Sequence, residues 1–206
     1  MPLPLLAVSV LGLVALGVLA LLAWREVAAA RAAQHDRDVV TAHWESLVMQ
    51  RRDLRLAVDA AGVPALHGRA GLFGYVIRVG DEGPSQGRPW ACAAAITAAS
   101  SLTVRRHGDA SSTLPDLAEG LRTGDDDFDA VFEVRCDDAD AARACLGVDV
   151  RTAMLALPAA WACLDDGGLR LDLGSSATAV DHALVDALRD LVVAVGRASS
   201  RAVAAG

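Results

Sequence analysis

From Pro4 to Trp24 the chain reads PLLAVSVLGLVALGVLALLAW, with no charge, no Asn, no Gln and a single hydroxyl at Ser9. Wound as a helix at 1.5 Å per residue, such a stretch is about 31 Å long, the thickness of a bilayer's hydrocarbon core. Apolar side chains surround the whole cylinder, whereas a helix lying on a soluble domain keeps one polar face. Lipid offers no hydrogen-bond partners, so a helix that satisfies its own backbone is the natural spanning form. Trp24 stands where an interfacial aromatic belongs, and Arg25 closes the run. The pattern predicts one N-terminal transmembrane helix within residues 1–25, touching the membrane through residues 4–24. A cleavable signal peptide is the alternative. It would have a basic start and a shorter apolar core; here the start is MPLP, although the alanines between Ala28 and Ala33 supply the small residues of a cleavage site. Arg25, Arg31 and Arg37 follow the span and no basic side chain precedes it. The positive-inside rule therefore predicts a single-pass inner-membrane protein with its C-terminal part in the cytoplasm.

Beyond the anchor the periodicity changes. Val27 to Ala61 contains no Gly or Pro, and Val40, Trp44, Leu47, Arg51, Leu54, Val58 and Ala61 recur at steps of three and four. That spacing predicts a juxtamembrane helix over 26–62, with a break near Gln34 to Asp38 where an Asp could cap a fresh start. Its stripe is expected to dock on the chain's own sheet rather than form a coiled coil. Strand-like alternation then appears at Gly71–Val79, Trp90–Ala99, Leu102–His107, around Phe132 and Val134, and at Ala160–Leu164 with Leu169–Leu173. The last two flank Asp165-Asp166-Gly167-Gly168, a hairpin signal. Residues 81–87 read as a loop, and Gly108–Asp127 as irregular with a helical turn at Leu114 to Leu121. Asp137-Asp138 precedes a helical stretch from Ala139 towards Leu157, divisible at Gly147. Val180–Val195 is amphipathic, with Leu184, Leu188, Leu191, Val192 and Val195 opposite Asp181, Asp186 and Asp190. A flexible tail is expected over 199–206.

These elements predict an α+β soluble domain over 63–198. Its expected core is a mostly antiparallel sheet of about five or six strands with helices packed on one face. The 182 residues after Trp24 suffice for one such domain.

Composition narrows the function. Net charge is −7, with 8 Arg against 6 acids from Arg25 to Gly80 and 11 Arg against 20 acids thereafter. A nucleic-acid partner is disfavoured, since affinity there depends on neutralising phosphates. All 19 basic residues are arginine. The lack of lysine excludes Walker A phosphate binding, Schiff-base chemistry and Ser–Lys catalysis. Cys92, Cys136, Cys145 and Cys163 form no C-x-x-C pair, which argues against structural zinc. They are expected as buried thiols.

The candidate chemistry is sparse. Asp125, Asp127 and Asp129, in the run Asp125-Asp126-Asp127-Phe128-Asp129, are the candidate metal ligands for Ca²⁺ or Mg²⁺. The run lacks the glycine and glutamate of an EF-hand, and a solvated turn ahead of a strand explains it as well. His35, His43, His67, His107 and His182 show no metalloprotease spacing, and no G-x-S-x-G elbow exists. Cys92 and His107 would meet only through a fortunate register. Gly68-x-x-Gly71-x-x-Gly74 lacks the flanking strand and helix of a dinucleotide loop and is expected at turns or bulges.

Phe128-Asp-x-x-Phe-x-Val-x-x-x-Asp-x-x-x-Ala142, followed by Met154-Leu-x-Leu157 and Gly168-Leu-Arg-Leu171, resembles a bacterial family of unknown function. Its members carry an acidic-Phe-acidic-x-x-Phe-x-Val run and often transmembrane segments; Cys145-Leu-Gly147 departs from its more usual Leu-x-Pro ending. The resemblance implies an α+β fold and no known activity. No catalytic residue and no cofactor is expected. The leading expectation is a membrane-tethered, non-enzymatic interaction or scaffold domain that binds another protein or a copy of itself. The alternatives are a metal-dependent hydrolase using residues 125–129 and a small-ligand-binding domain with a pocket between sheet and helices.

Overall fold

The computed structural model describes residues 3–60, 62–79, 89–96, 100–108, 119–159, 161–174 and 176–205, and their side chains except those of 3–17, 119, 177 and 202–205. The chain divides into two compact units, Met1–Val39 and Val40–Gly206. The first is helical. Helix α1 (Leu3–Gln50) passes through Gln34–Asp38 without the expected break. There the Asp38 carboxylate accepts a hydrogen bond from Gln34 Nε2 at 2.9 Å instead of capping a new helix. Val18, Leu19, Leu21, Leu22 and Trp24 are exposed. Among the described residues no helix is long and apolar enough to cross a membrane. Most of the expected span, 4–17, falls outside the residues whose side chains are described.

In the second unit Val40, Trp44 and Leu47 are buried in the core, as the docking stripe requires. The helix nevertheless ends at Gln50, not near Ala61, and the next residues form strand β1 (Leu54–Val58). Leu54 and Leu56 around Arg55 also satisfy a period of two, and a tertiary contact decides between the readings. Arg51 pairs with Asp53 at 2.9 Å and Asp186 at 2.7 Å, holding the chain in a turn where helix would otherwise continue. Strands β2 (Pro64–Ala70), β3 (Phe73–Val79), β4 (Pro89–Ala93), β5 (Leu102–Arg106) and β6 (Glu119–Leu121) follow. Then come α2 (Asp126–Val131), β7 (Phe132–Cys136), α3 (Ala139–Cys145), α4 (Val148–Ala156), β8 (Trp161–Asp165), β9 (Gly168–Asp172) and α5 (His182–Ala205).

Among the described residues all the strands pair antiparallel in one sheet of nine, ordered β1-β2-β3-β4-β9-β8-β5-β7-β6. The α+β expectation therefore holds, with more strands than the pattern suggested. The additions are β1, β2 and β6. Residues 119–121 form strand rather than the end of a helical turn, and 81–87 and 109–118 lie outside the described residues. Gly71, at φ +62°, supplies the left-handed conformation that the tight β2–β3 connection needs.

One row of paired residues crosses the whole sheet: Leu56, Leu66, Ile77, Ala91, Leu171, Ala162, Val104, Val134 and Leu121. Because alternate residues face opposite ways, this register collects the apolar positions of nine strands on one side. Helices α3, α4 and α5 and the last turns of α1 share the same core, with Leu188, Leu191 and Val192 fully buried. A cavity of about 20 Å³ remains between sheet and helices, lined by side chains such as Leu102, Val150 and Leu191. Its volume is that of about one water and its lining is apolar, so it does not accommodate a small-molecule ligand.

Helix α5 runs to Ala205 instead of fraying after Gly196, and Ala198 and Ser199 are buried. Gly196 is a packing position: a Cβ built there would stand 2.3 Å from Phe73 Cε2.

Candidate functional site

The expected metal ligands are occupied in local structure. Asp125 caps α2 by accepting from the Phe128 N–H at 3.2 Å, and its other oxygen accepts from Arg151 Nε at 2.9 Å. The Arg151 bond, with help from the Phe128 amide, holds its carboxyl below the usual range. Arg151 also donates to the Leu146 carbonyl at 2.6 Å, so this pair joins the start of α2 to the turn between α3 and α4. Asp129 folds back to accept from Thr123 N and Oγ1 and from Gly124 N. Burial pushes its carboxyl up, but these donors outweigh burial and leave it lowered. Asp127 is exposed. Among the described residues no group of three or more His, Cys, Asp or Glu side chains converges as a metal site would.

The motif behind the family resemblance proves to be packing and capping. Phe128 and Phe132 are buried with ring centroids 5.0 Å apart, Val134 belongs to the sheet-wide row, and Ala142 is buried. Asp138 caps α3 through the Asp140 and Ala141 amides. Arg106 lies 5.0 Å over the Phe132 ring and donates to the Leu157 and Ala159 carbonyls after α4.

The histidines are dispersed. His43 Nε2 bonds the Val180 carbonyl at 2.9 Å, His107 Nε2 the Asp129 carbonyl at 3.1 Å, and His182 Nε2 the Gln50 side chain at 3.0 Å. Cys92 and His107 do not form a pair: β9 and β8 stand between β4 and β5. None of the four cysteines forms a disulfide. Burial pushes Cys92, Cys145 and Cys163 up, Cys145 to about 11, so each is protonated at neutral pH and a poor nucleophile.

What does come together is the sheet face opposite the helices. Its central row pairs Arg55, His67, Val76, Cys92, Arg170, Cys163, Thr103 and Arg135. Beside it Arg78 pairs with Trp90, Trp90 with Asp172, Asp172 with Trp161, and Trp161 with Arg105. The two halves of this face differ. Over β9, β8, β5 and β7, acids neutralise the arginines: Glu133 takes Arg105 at 2.7 Å and Arg135 at 2.8 Å, and Asp165 pairs with Arg170. Cys163 Sγ sits among them, 3.6 Å from Asp165 Oδ2 and 3.9 Å from both Thr103 Oγ1 and Arg170 Nη2. Trp161 and Cys163 form a small buried cluster of their own, apart from the main core, and Trp161 Nε1 has no hydrogen-bond partner among the described residues. Over β1–β3 this face is open, with Arg55, His67, Arg69 and Arg78 all exposed.

Sequence reasoning had no route to this face. W-A-C-L-D and G-L-R-L-D do place Trp161, Cys163 and Asp165 on one side of β8, and Arg170 and Asp172 on one side of β9. Which strands stand next to them is a matter of non-local pairing. No family model, no curated protein and no solved structure matches this chain.

Proposed function

We propose that this chain is a membrane-tethered, non-enzymatic interaction module whose contact surface is the β1–β4 part of the sheet face opposite its helices. One observation carries the reading: helices seal one face of the sheet, whereas the β1–β4 part of the other presents exposed arginines, a histidine and a half-buried tryptophan. An open sheet face is a broad platform for recognition and a poor place for chemistry, which needs a recess that excludes water. Protonated thiols, dispersed histidines and acids committed to caps favour contact over catalysis. The tether rests on the uncharged stretch from Pro4 to Trp24 and on the exposed apolar side chains between Val18 and Trp24. The arginines after it favour a cytoplasmic domain at the inner membrane.

Fractionation tests the tether. The full chain should stay with membranes through an alkaline carbonate wash and leave only with detergent, and deletion of residues 4–24 should release it. Recovery of the intact chain in the soluble fraction without detergent would overturn the reading. The contact surface is tested by a photo-crosslinking side chain placed at Val76 or at Asp190 in the membrane-bound chain: adducts should form from position 76 and not from position 190, and equal yields would overturn the reading.

A further inference from the structure

Strands β1, β2, β3 and β4 contain no acidic residue, although the chain as a whole carries −7. On their helix-free side stand Arg55, Arg69 and Arg78, with His67, Val76 and Trp90 between them. The three arginines are exposed and none forms an ion pair with a described residue; Arg69 donates to the carbonyl of Gly71 at 3.2 Å. The contrast with the other half of the face is chemical, because there every arginine named above has a carboxylate within reach. Three unneutralised guanidinium groups on a flat, partly apolar strip, flanked by an indole, match a plane of phosphate oxygens above acyl chains.

Resting on the membrane-tethered reading, we propose that this acid-free strip over β1–β4 binds the headgroups of anionic phospholipids in the membrane that anchors the chain. Anionic lipid is favoured over an acidic polypeptide because a chain anchored through residues 4–24 meets its own bilayer at high effective concentration. Each arginine at an anionic surface contributes about one kcal/mol, so three together are worth about 100-fold in binding.

The test uses the full chain in nanodiscs of phosphatidylcholine alone or with phosphatidylglycerol, with arginine modification by phenylglyoxal read by mass spectrometry. Modification of Arg55, Arg69 and Arg78 should slow severalfold in the anionic discs and recover in high salt, while exposed Arg143 reacts alike in both. Equal rates at the three positions would overturn the proposal. Protection in neutral discs that grows with protein concentration would assign the strip to a second copy instead. Should the chain fail to enter discs at all, the tether reading falls, and co-sedimentation with phosphatidylglycerol vesicles still decides the strip. There the parent should bind about 100-fold better than the Arg55→Gln, Arg69→Gln, Arg78→Gln triple variant at unchanged Tm; equal binding would sink the strip.

Discussion

Tyr75 is the chain's single tyrosine. Its ring lies against Gly68, whose hypothetical Cβ would stand 2.2 Å from Cζ, and its hydroxyl is buried with no hydrogen-bond partner among the described residues. Burial, reinforced by the Asp53 carboxylate, pushes the phenol up to about 12. The folded chain thus holds a proton that the unfolded chain releases near pH 10. Stability is unaffected below that value and declines as pH rises towards 12, by about 3 kcal/mol in all. Absorbance at the tyrosinate band should therefore titrate near 12 in the folded chain. Tyr75→Phe should abolish this part of the alkaline loss and leave neutral-pH stability equal or higher, because an unsatisfied hydroxyl is removed.

Arg51 works at the acid end. Its hydrogen bonds hold the Asp53 carboxyl below the ordinary range, against the opposing effect of burial. That stabilisation is present above about pH 4, the unfolded carboxyl's value, and is lost as pH falls through the lower folded value. Arg51→Gln should cost about 1–3 kcal/mol at neutral pH and flatten the loss on acidification in denaturant melts. Neither residue announces itself in the sequence. Tyr75 reads as one more strand aromatic, and Arg51 as an interruption in an apolar stripe, because its partner Asp186 lies 135 positions away.

Among elements, legibility followed locality. The β8–β9 hairpin was readable from Asp165-Asp166-Gly167-Gly168, which selects a tight turn without help from elsewhere, and the α5 face from its regular leucines. Both are as the pattern predicts. The first hairpin was not readable, because Leu54 and Val58 fit helical and strand spacing equally, and β2 opens on Pro64, an ordinary helix terminator. Strand β6 is three residues long and offers no alternation. The end of α5 was misjudged for a different reason. Gly and Ala near a terminus suggest fraying, yet Gly196 is small because Phe73 occupies the space its side chain would fill. On an open helix Gly→Ala gains about 1 kcal/mol. Here Gly196→Ala should instead lose about 1–3 kcal/mol through overpacking, and Phe73→Ala in the same chain should turn the alanine into a net gain. Thermal melts of the two single variants and the double variant resolve the cycle.

At the scale of the whole molecule, the sheet gives its two sides different work. Sequence conveyed only a coarse asymmetry: a balance of +2 from Arg25 to Gly80 set against −9 beyond. It did not convey that β4 would pair with β9, or β5 with β8, and so could not say which side chains share the face opposite the helices. Nor could it separate arginines neutralised by Glu133 and Asp165 from those on β1, β2 and β3 that pair with no carboxylate among the described residues. The candidate acids at 125, 127 and 129 were visible as a run, but their use in capping and in the Arg151 link depends on contacts across 26 positions.

Neighbouring residues on one strand test this division most directly. Leu66 is fully buried on the helix side of β2, and His67 beside it is exposed on the other. Thermal or denaturant unfolding of the full chain should show Leu66→Asp losing more than about 3 kcal/mol, by placing a carboxylate in the core, and His67→Asp changing stability by less than about 1 kcal/mol. Equal losses at the two positions would contradict a sheet sealed on one side and, over β1–β3, free on the other.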